Sequence, residues 1–237
     1  MSKNQIEDVA GIGKLAKAIP QEAWNKLIAT ASNTFSALIA PITKTTAGLG
    51  RLIQVKFDSM VDVQKVYAAD AVNRAKEKVE RSRRAPQGTP KAKVLVPAIE
   101  GASLETDDTL RDVWANLIAH EMLSAGVHPE FPGILARLSP KDALTLSEIA
   151  NKDSTRLKGA AKALGTLIVS TFGISVQFGE EPSDFSREHL ERLGLVRLRE
   201  GRWRLTLFGE EFVRVVTDPS FIETMESERA KKETRKP

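Results

Sequence analysis

The stretch LETDDTLRDVWANLIAHEMLSAGVHPEFPGILARLSPKDALTLSEIA, Leu104 to Ala150, decides the fold. Three helix starts can be read in it. Thr106 is placed to cap the first, with Asp107 and Asp108 in the opening turn, where carboxylates suit the positive end of the helix dipole. Leu110, Val113, Trp114, Leu117 and Ile118 follow at i, i+3, i+4, i+7 and i+8, a single buried stripe. The second start is His128-Pro129, with proline at the first helical position and Phe131, Ile134, Leu135 and Leu138 turned inward. The third is Ser139-Pro140, with Asp142 where a capping-box partner belongs. These signals describe a helical scaffold and no reaction centre.

Toward the C-terminus, Ser154 to Thr171 has the spacing of a further helix, ended by Gly173. Residues 174–178 alternate as a short strand, and 179–183 form a loop. A short helix carries His189, Leu190 and Leu193 up to Gly194. Leu195–Arg199 and Arg202–Thr206 then pair around Glu200-Gly201, a two-residue hairpin turn. Alternation puts Val196, Leu198, Trp203 and Leu205 on the inner face and Arg197, Arg199, Arg202 and Arg204 on the outer one. Thr206 is placed to cap a closing helix that buries Leu207, Phe208, Phe212, Val215 and Val216. Helix, hairpin and closing helix in this order resemble a winged-helix module.

Two blocks of residues carry a family resemblance. The first is Leu110-x-x-Val113-Trp114-Ala115-Asn116-Leu117-Ile118, with Val127-His128-Pro129-x-Phe131 and Leu138-Ser139-Pro140-x-Asp142-Ala143. The second is Leu190-x-x-Leu193-Gly194-Leu195-Val196, followed by Arg204-Leu205-Thr206-x-Phe208-Gly209-x-x-Phe212. Together they resemble the Abi-alpha (abortive infection) family, a domain of unknown function, over a span from about Ala40 to Val216. The resemblance implies a cytoplasmic, phage-defence protein. Its motifs are helix starts, a Trp-centred core face and a turn, so they imply a fold and no chemistry.

Toward the N-terminus, Trp24, Ile28, Ala31, Phe35, Leu38 and Ile42 form the seam of one helix. Leu49, Ile53, Met60, Val63 and Tyr67 form a second seam, which fades into Val72, Ala75 and Val79. Pro41 and Gly48/Gly50 are expected to bend or interrupt the chain between them. No acid lies between Glu22 and Asp58, whereas Lys26, Lys44, Arg51 and Lys56 do. The uncharged window 27–43 falls short of the ~18–20 apolar residues that a spanning helix needs. A basic flank with Trp24 and Phe35 on the apolar side suits an interfacial helix; packing on the rest of the chain or on a second copy is the plainer reading. Trp24, Ile28, Phe35, Leu38 and Ile42 are therefore the candidate membrane or self-association residues.

The charge is unevenly placed. Residues 1–85 carry 14 Lys/Arg against 8 Asp/Glu, residues 86–222 carry 16 against 19, and the tail 5 against 4. The cationic run Arg74 to Lys93 reads as a solvated helix end rather than a phosphate site. APQGTP (85–90) punctuates it as a domain boundary.

Chemistry finds little purchase. No cysteine is present, which excludes thiolate catalysis, disulfides and Cys–zinc sites. His120-Glu121 lacks a second histidine four residues on, where Ser124 stands. His128 reads as a turn or cap residue and His189 as a surface residue. Gly11-Ile12-Gly13 lacks the third glycine and the strand of a dinucleotide site. Asp107/Asp108 and Glu180/Glu181 read as helix-start and loop charges. No leader peptide is read at the N-terminus.

The expectation is a mainly α protein, with a helical N-terminal region (1–85), a helical domain ending in a winged-helix-like hairpin and a C-terminal helix (86–222), and a charged, disordered tail (223–237). It is expected to be no enzyme, to hold no metal or cofactor and to have no small-molecule substrate. A protein partner or a second copy is its expected partner, with a membrane surface and nucleic acid as further classes. It belongs in the cytoplasm or at the periphery of the inner membrane. The alternative is a nucleic-acid-binding regulator that uses the arginine hairpin, although Glu188 and Glu191 on the preceding helix oppose base reading.

Overall fold

The computed structural model describes residues 21–45, 47–153, 184–224 and 227; the side chains of Trp24, Leu38 and Ile42 lie outside that description. The expected helix at 154–171, the strand at 174–178 and the loop at 179–183 also fall outside it. Among the described residues the chain is mainly α, with one antiparallel hairpin near the C-terminus followed by a helix.

Among its described residues the N-terminal region has three helices rather than two: α1 (Gln21–Thr45), α2 (Ala47–Asp58) and α3 (Asp62–Arg81). Pro41 lies within α1, and Gly48 and Gly50 within α2, so none of them ends a helix. Ser59 and Met60 make the second break, closed by hydrogen bonds to the carbonyls of Val55 and Phe57. α4 (Ala92–Leu104) is announced by no pattern, because Pro97 and Gly101 sit inside it. Gly101 is there for space: a Cβ would lie 2.4 Å from the Trp114 ring, so the indole reaches the α4 backbone only because no side chain stands there.

α5 (Asp108–Ser124) is the axis of the molecule, buried along nearly its whole length and packed by α3, α4 and the last helix. Its cap is Asp107, which accepts from the backbone N–H of Thr109 and Leu110, each at 2.9 Å. Thr106 therefore lies one residue before the cap. Ala125, at φ 50°, ends the helix in the left-handed region. α6 is a short turn, Phe131–Leu135, with Pro132 rather than Pro129 in its first turn. α7 (Pro140–Asp153) starts as expected: Asp142 accepts from Ser139 N at 2.9 Å, and the Ser139 hydroxyl accepts from Asp142 N at 3.2 Å. This is the reciprocal capping box.

After the undescribed segment come α8 (Asp184–Arg192), β1 (Val196–Arg199), β2 (Arg202–Leu205) and α9 (Leu207–Val215). A helical turn at 219–224 closes the described chain. Thr206 caps α9, accepting from Gly209 N at 2.9 Å. Gly209 lets α9 cross the start of β1 at van der Waals limit: a Cβ there would lie 1.9 Å from the Leu195 carbonyl oxygen.

One apolar cluster runs from Ala31 to Val216, so the core continues across the APQGTP punctuation. Ala68, Ala71, Val72 and Ala75 of α3 are buried, small enough for close approach to α5. The cationic run from Arg74 to Lys93 is solvated in part: Lys76, Arg81, Arg83, Arg84 and Lys93 are exposed, whereas Arg74 and Lys78 turn inward. Arg74 binds Asp70 at 2.9 Å and Asp108 at 2.5 Å, and Lys78 lies between Asp112 at 2.9 Å and Asp218 at 3.2 Å. Arg81 reaches Asp218, and Glu223 accepts from the Ser82 hydroxyl and Arg83 N. Glu223 thus belongs to the folded body and not to the tail.

Candidate interaction surface

The ordered charges divide into those held inside and those held out. Inside, Asn116 and His120 on α5 face the C-terminal end of α9. The Asn116 amide donates to the Val216 carbonyl at 2.8 Å, and His120 Nε2 lies 2.9 Å from the Thr217 carbonyl. A carbonyl only accepts, so Nε2 carries the hydrogen. Two carbonyls just past the end of α9 are thereby satisfied. Burial, reinforced by the nearby Arg214, pushes His120 down to about 4, so the ring is neutral.

Glu121 is fully buried and accepts from the backbone N–H of Lys91 at 2.6 Å and of Val127 at 3.1 Å. Burial raises its pKa, against the pull of those donors and of the Lys91 ammonium. Burial pushes Asp218 up too, but Ser220 and Lys78 outweigh it and the net shift is downward. His189 is half-buried, not a free surface residue: its Nδ1 lies 3.1 Å from Asp142 and joins α8 to α7. His128 sits in a turn, its Nδ1 accepting from Glu130 N at 3.3 Å and its ring edge-on to Phe208.

Outside stands the hairpin. Glu200 (φ 52°) and Gly201 (φ 72°) both have positive φ, the primed turn whose twist matches paired strands. The register sets Arg197 opposite Arg204 and Arg199 opposite Arg202, so four guanidinium groups share one face as two rungs. Arg197, Arg199 and Arg202 are exposed, and Arg204 is partly covered, with Glu200 at 3.5 Å. Directly opposed like charges destabilise a ribbon by several tenths of a kcal/mol, about 0.2–1 each. The opposite face is not wholly an inner face as alternation predicts. Val196 and Leu205 are buried at the base, but Leu198 is 53% exposed and Trp203 only partly covered. The hairpin tip stands clear of the core, because α7, α8 and α9 pack at its base.

The candidate membrane or self-association residues divide differently. Phe35 is fully buried and stacks on Phe57 with ring centroids 3.8 Å apart and planes 10° apart. It is committed to the interior and offers nothing to lipid or a second copy, because α2 packs against α1 and Phe57 covers it. Ile28 is half-buried; Trp24, Leu38 and Ile42 lie outside the described side chains. Among the described residues no group of acids and histidines is placed to hold a metal ion, and no helix is long and apolar enough to cross a membrane.

No curated protein and no solved structure matches this chain. A family model does, that of abortive infection alpha, over residues 64–216. The match begins at Gln64, inside α3, rather than near Ala40, and it takes in α4 to α9 with both motif blocks. The chain therefore belongs to the abortive infection alpha family.

Proposed function

We propose that this protein serves abortive infection of phage-infected cells by binding, without chemistry of its own. In this reading the hairpin docks an anionic partner. The N-terminal helices bear on a second copy or on the cytoplasmic face of the inner membrane. The observation that carries it is the division of charge. Interior ionic groups are taken up by pairing within the chain: Lys78 by Asp112 and Asp218, and Glu121 by two backbone donors and Lys91. The hairpin instead turns four arginines outward on one face, with Glu200 as the acid beside them.

The test is a phage challenge of cells carrying the full chain or the quadruple variant R197E/R199E/R202E/R204E. Loss of protection is expected, with far-UV circular dichroism unchanged. Full protection by the variant would remove the hairpin from the mechanism. For the N-terminal half, failure of the full chain to float with anionic vesicles at low salt leaves self-association, measured by sedimentation.

A second reading, a winged-helix-like nucleic-acid regulator, is favoured by the same four arginines. Asp184, Glu188 and Glu191 on α8 oppose its sequence-reading form, since a helix entering a major groove is normally neutral or basic.

A further inference from the structure

We infer that the hairpin's partner is a nucleic-acid backbone, gripped through its phosphates without reading of sequence. This rests on the proposal that the hairpin is the docking surface, and it names the partner's chemistry.

Three features of the ribbon point there. First, the two rungs, Arg197/Arg204 and Arg199/Arg202, are two residues apart along the strands, a step of about 7 Å. Successive phosphates along one backbone have a comparable repeat, so each rung faces one phosphate. Second, all four cations are arginine. The planar fork of a guanidinium binds phosphate oxygens in pairs, and two forks meeting across a ribbon enclose one phosphate from both sides. The repulsion between opposed guanidinium groups, unfavourable in the free protein, is relieved when an anion sits between them.

Third, the apolar side chains are on the wrong face for lipid. A hairpin that anchors to a bilayer needs its greasy residues pointing the same way as its cations. Leu198 pairs with Trp203 on the face opposite the arginines, so headgroup contact and insertion exclude each other. Sequence reading is absent from the design: arginines on a solvent-exposed ribbon meet phosphates first, and the preceding helix presents Asp184, Glu188 and Glu191.

The experiment is fluorescence anisotropy with the full chain. Its probes are 20-mer duplexes and single strands of two unrelated sequences, at salt from 50 to 200 mM. Two phosphates, one at each rung, give a slope of log K on log salt of about −1.8 for duplex and about −1.4 for single strand. Between the two salt limits affinity then falls about tenfold, equally for both sequences. The quadruple Arg→Gln variant, which removes charge without adding repulsion, should lose binding. The tip variant R199Q/R202Q should keep weaker binding with about half the slope.

No wild-type binding at 50 mM salt would overturn the inference. So would binding that the Gln variant retains, or a tenfold preference for one sequence. If the variants lose phage protection but the wild type binds no nucleic acid, the hairpin remains the docking surface and an acidic protein replaces the backbone. Flotation with anionic vesicles that is lost on Arg→Gln, without nucleic-acid binding, would transfer the face to lipid and overturn the inference too.

Discussion

His120 makes the stability of this protein depend on pH between about 4 and 6.5. Its ring is buried between α5 and the end of α9, and its pKa falls from 6.5 to about 4. Burial is the main cause, with Arg214 adding to it, while the Thr217 carbonyl, Glu211 and Asp218 pull the other way. Below pH 6.5 the unfolded chain takes up a proton that the folded chain refuses. Stability from this residue is therefore whole above pH 6.5, declines as pH falls, and levels off below about 4. A fall from 6.5 to about 4 corresponds to about 3 kcal/mol in full, most of which is lost by pH 4.5.

The variant H120Q isolates the effect, because the glutamine amide reaches the Thr217 carbonyl without a titrating group. Urea unfolding of both proteins at pH 7.5 and 4.5 is the assay. Wild type should lose about 2–3 kcal/mol more than H120Q over that interval. Glu121, whose raised pKa acts in the opposite sense, is common to both proteins and cancels in the difference. Parallel losses in the two proteins would refute the reasoning, since His120 would then take up its proton in place.

Three further outcomes follow from the packing. K78M leaves Asp112 and Asp218 facing each other without their ammonium; it should destabilise by about 2 kcal/mol, less than for a sealed pair because both carboxylates reach water. Denaturant midpoints with an unchanged m-value check it. G209A forces a Cβ to within 1.9 Å of the Leu195 oxygen, so α9 must move off β1. A loss of about 3 kcal/mol, read as a melting shift, is expected. E200N places a residue tolerant of positive φ at the first turn position and should stabilise by about 0.5 kcal/mol, while it releases Arg204 from its ion pair with Glu200.

Much of the fold could be read without coordinates where the signal is local. A capping box is a contact within four residues, so Ser139-Pro140 with Asp142 announced α7. The Glu200-Gly201 turn likewise fixed the hairpin register, and with it the shared face of the four arginines. Periodicity marked the stripe of α5 for burial. The same local rules failed by small steps at Thr106, where Asp107 is the cap, and at Pro129, where Pro132 opens the helix. They missed α4 altogether, because Pro97 and Gly101 break the pattern while tertiary contact with Trp114 makes the glycine necessary.

What the chain order alone could not decide is which charges meet. Lys78 and Asp218 are 140 residues apart, and nothing local distinguishes Lys78 from Lys76, which stays at the surface with Glu80. His120 reads as a failed zinc motif until the end of α9 is seen beside it. Phe35 reads as a seam residue, and only the structure shows that Phe57 of α2 is what it packs against. Residue spacing determines what a helix or hairpin presents on each face; whether that face is covered depends on elements that arrive from elsewhere in the chain. For this protein, spacing determined the arginine ribbon, and the packing of α7, α8 and α9 at its base decided that the ribbon stands in solvent.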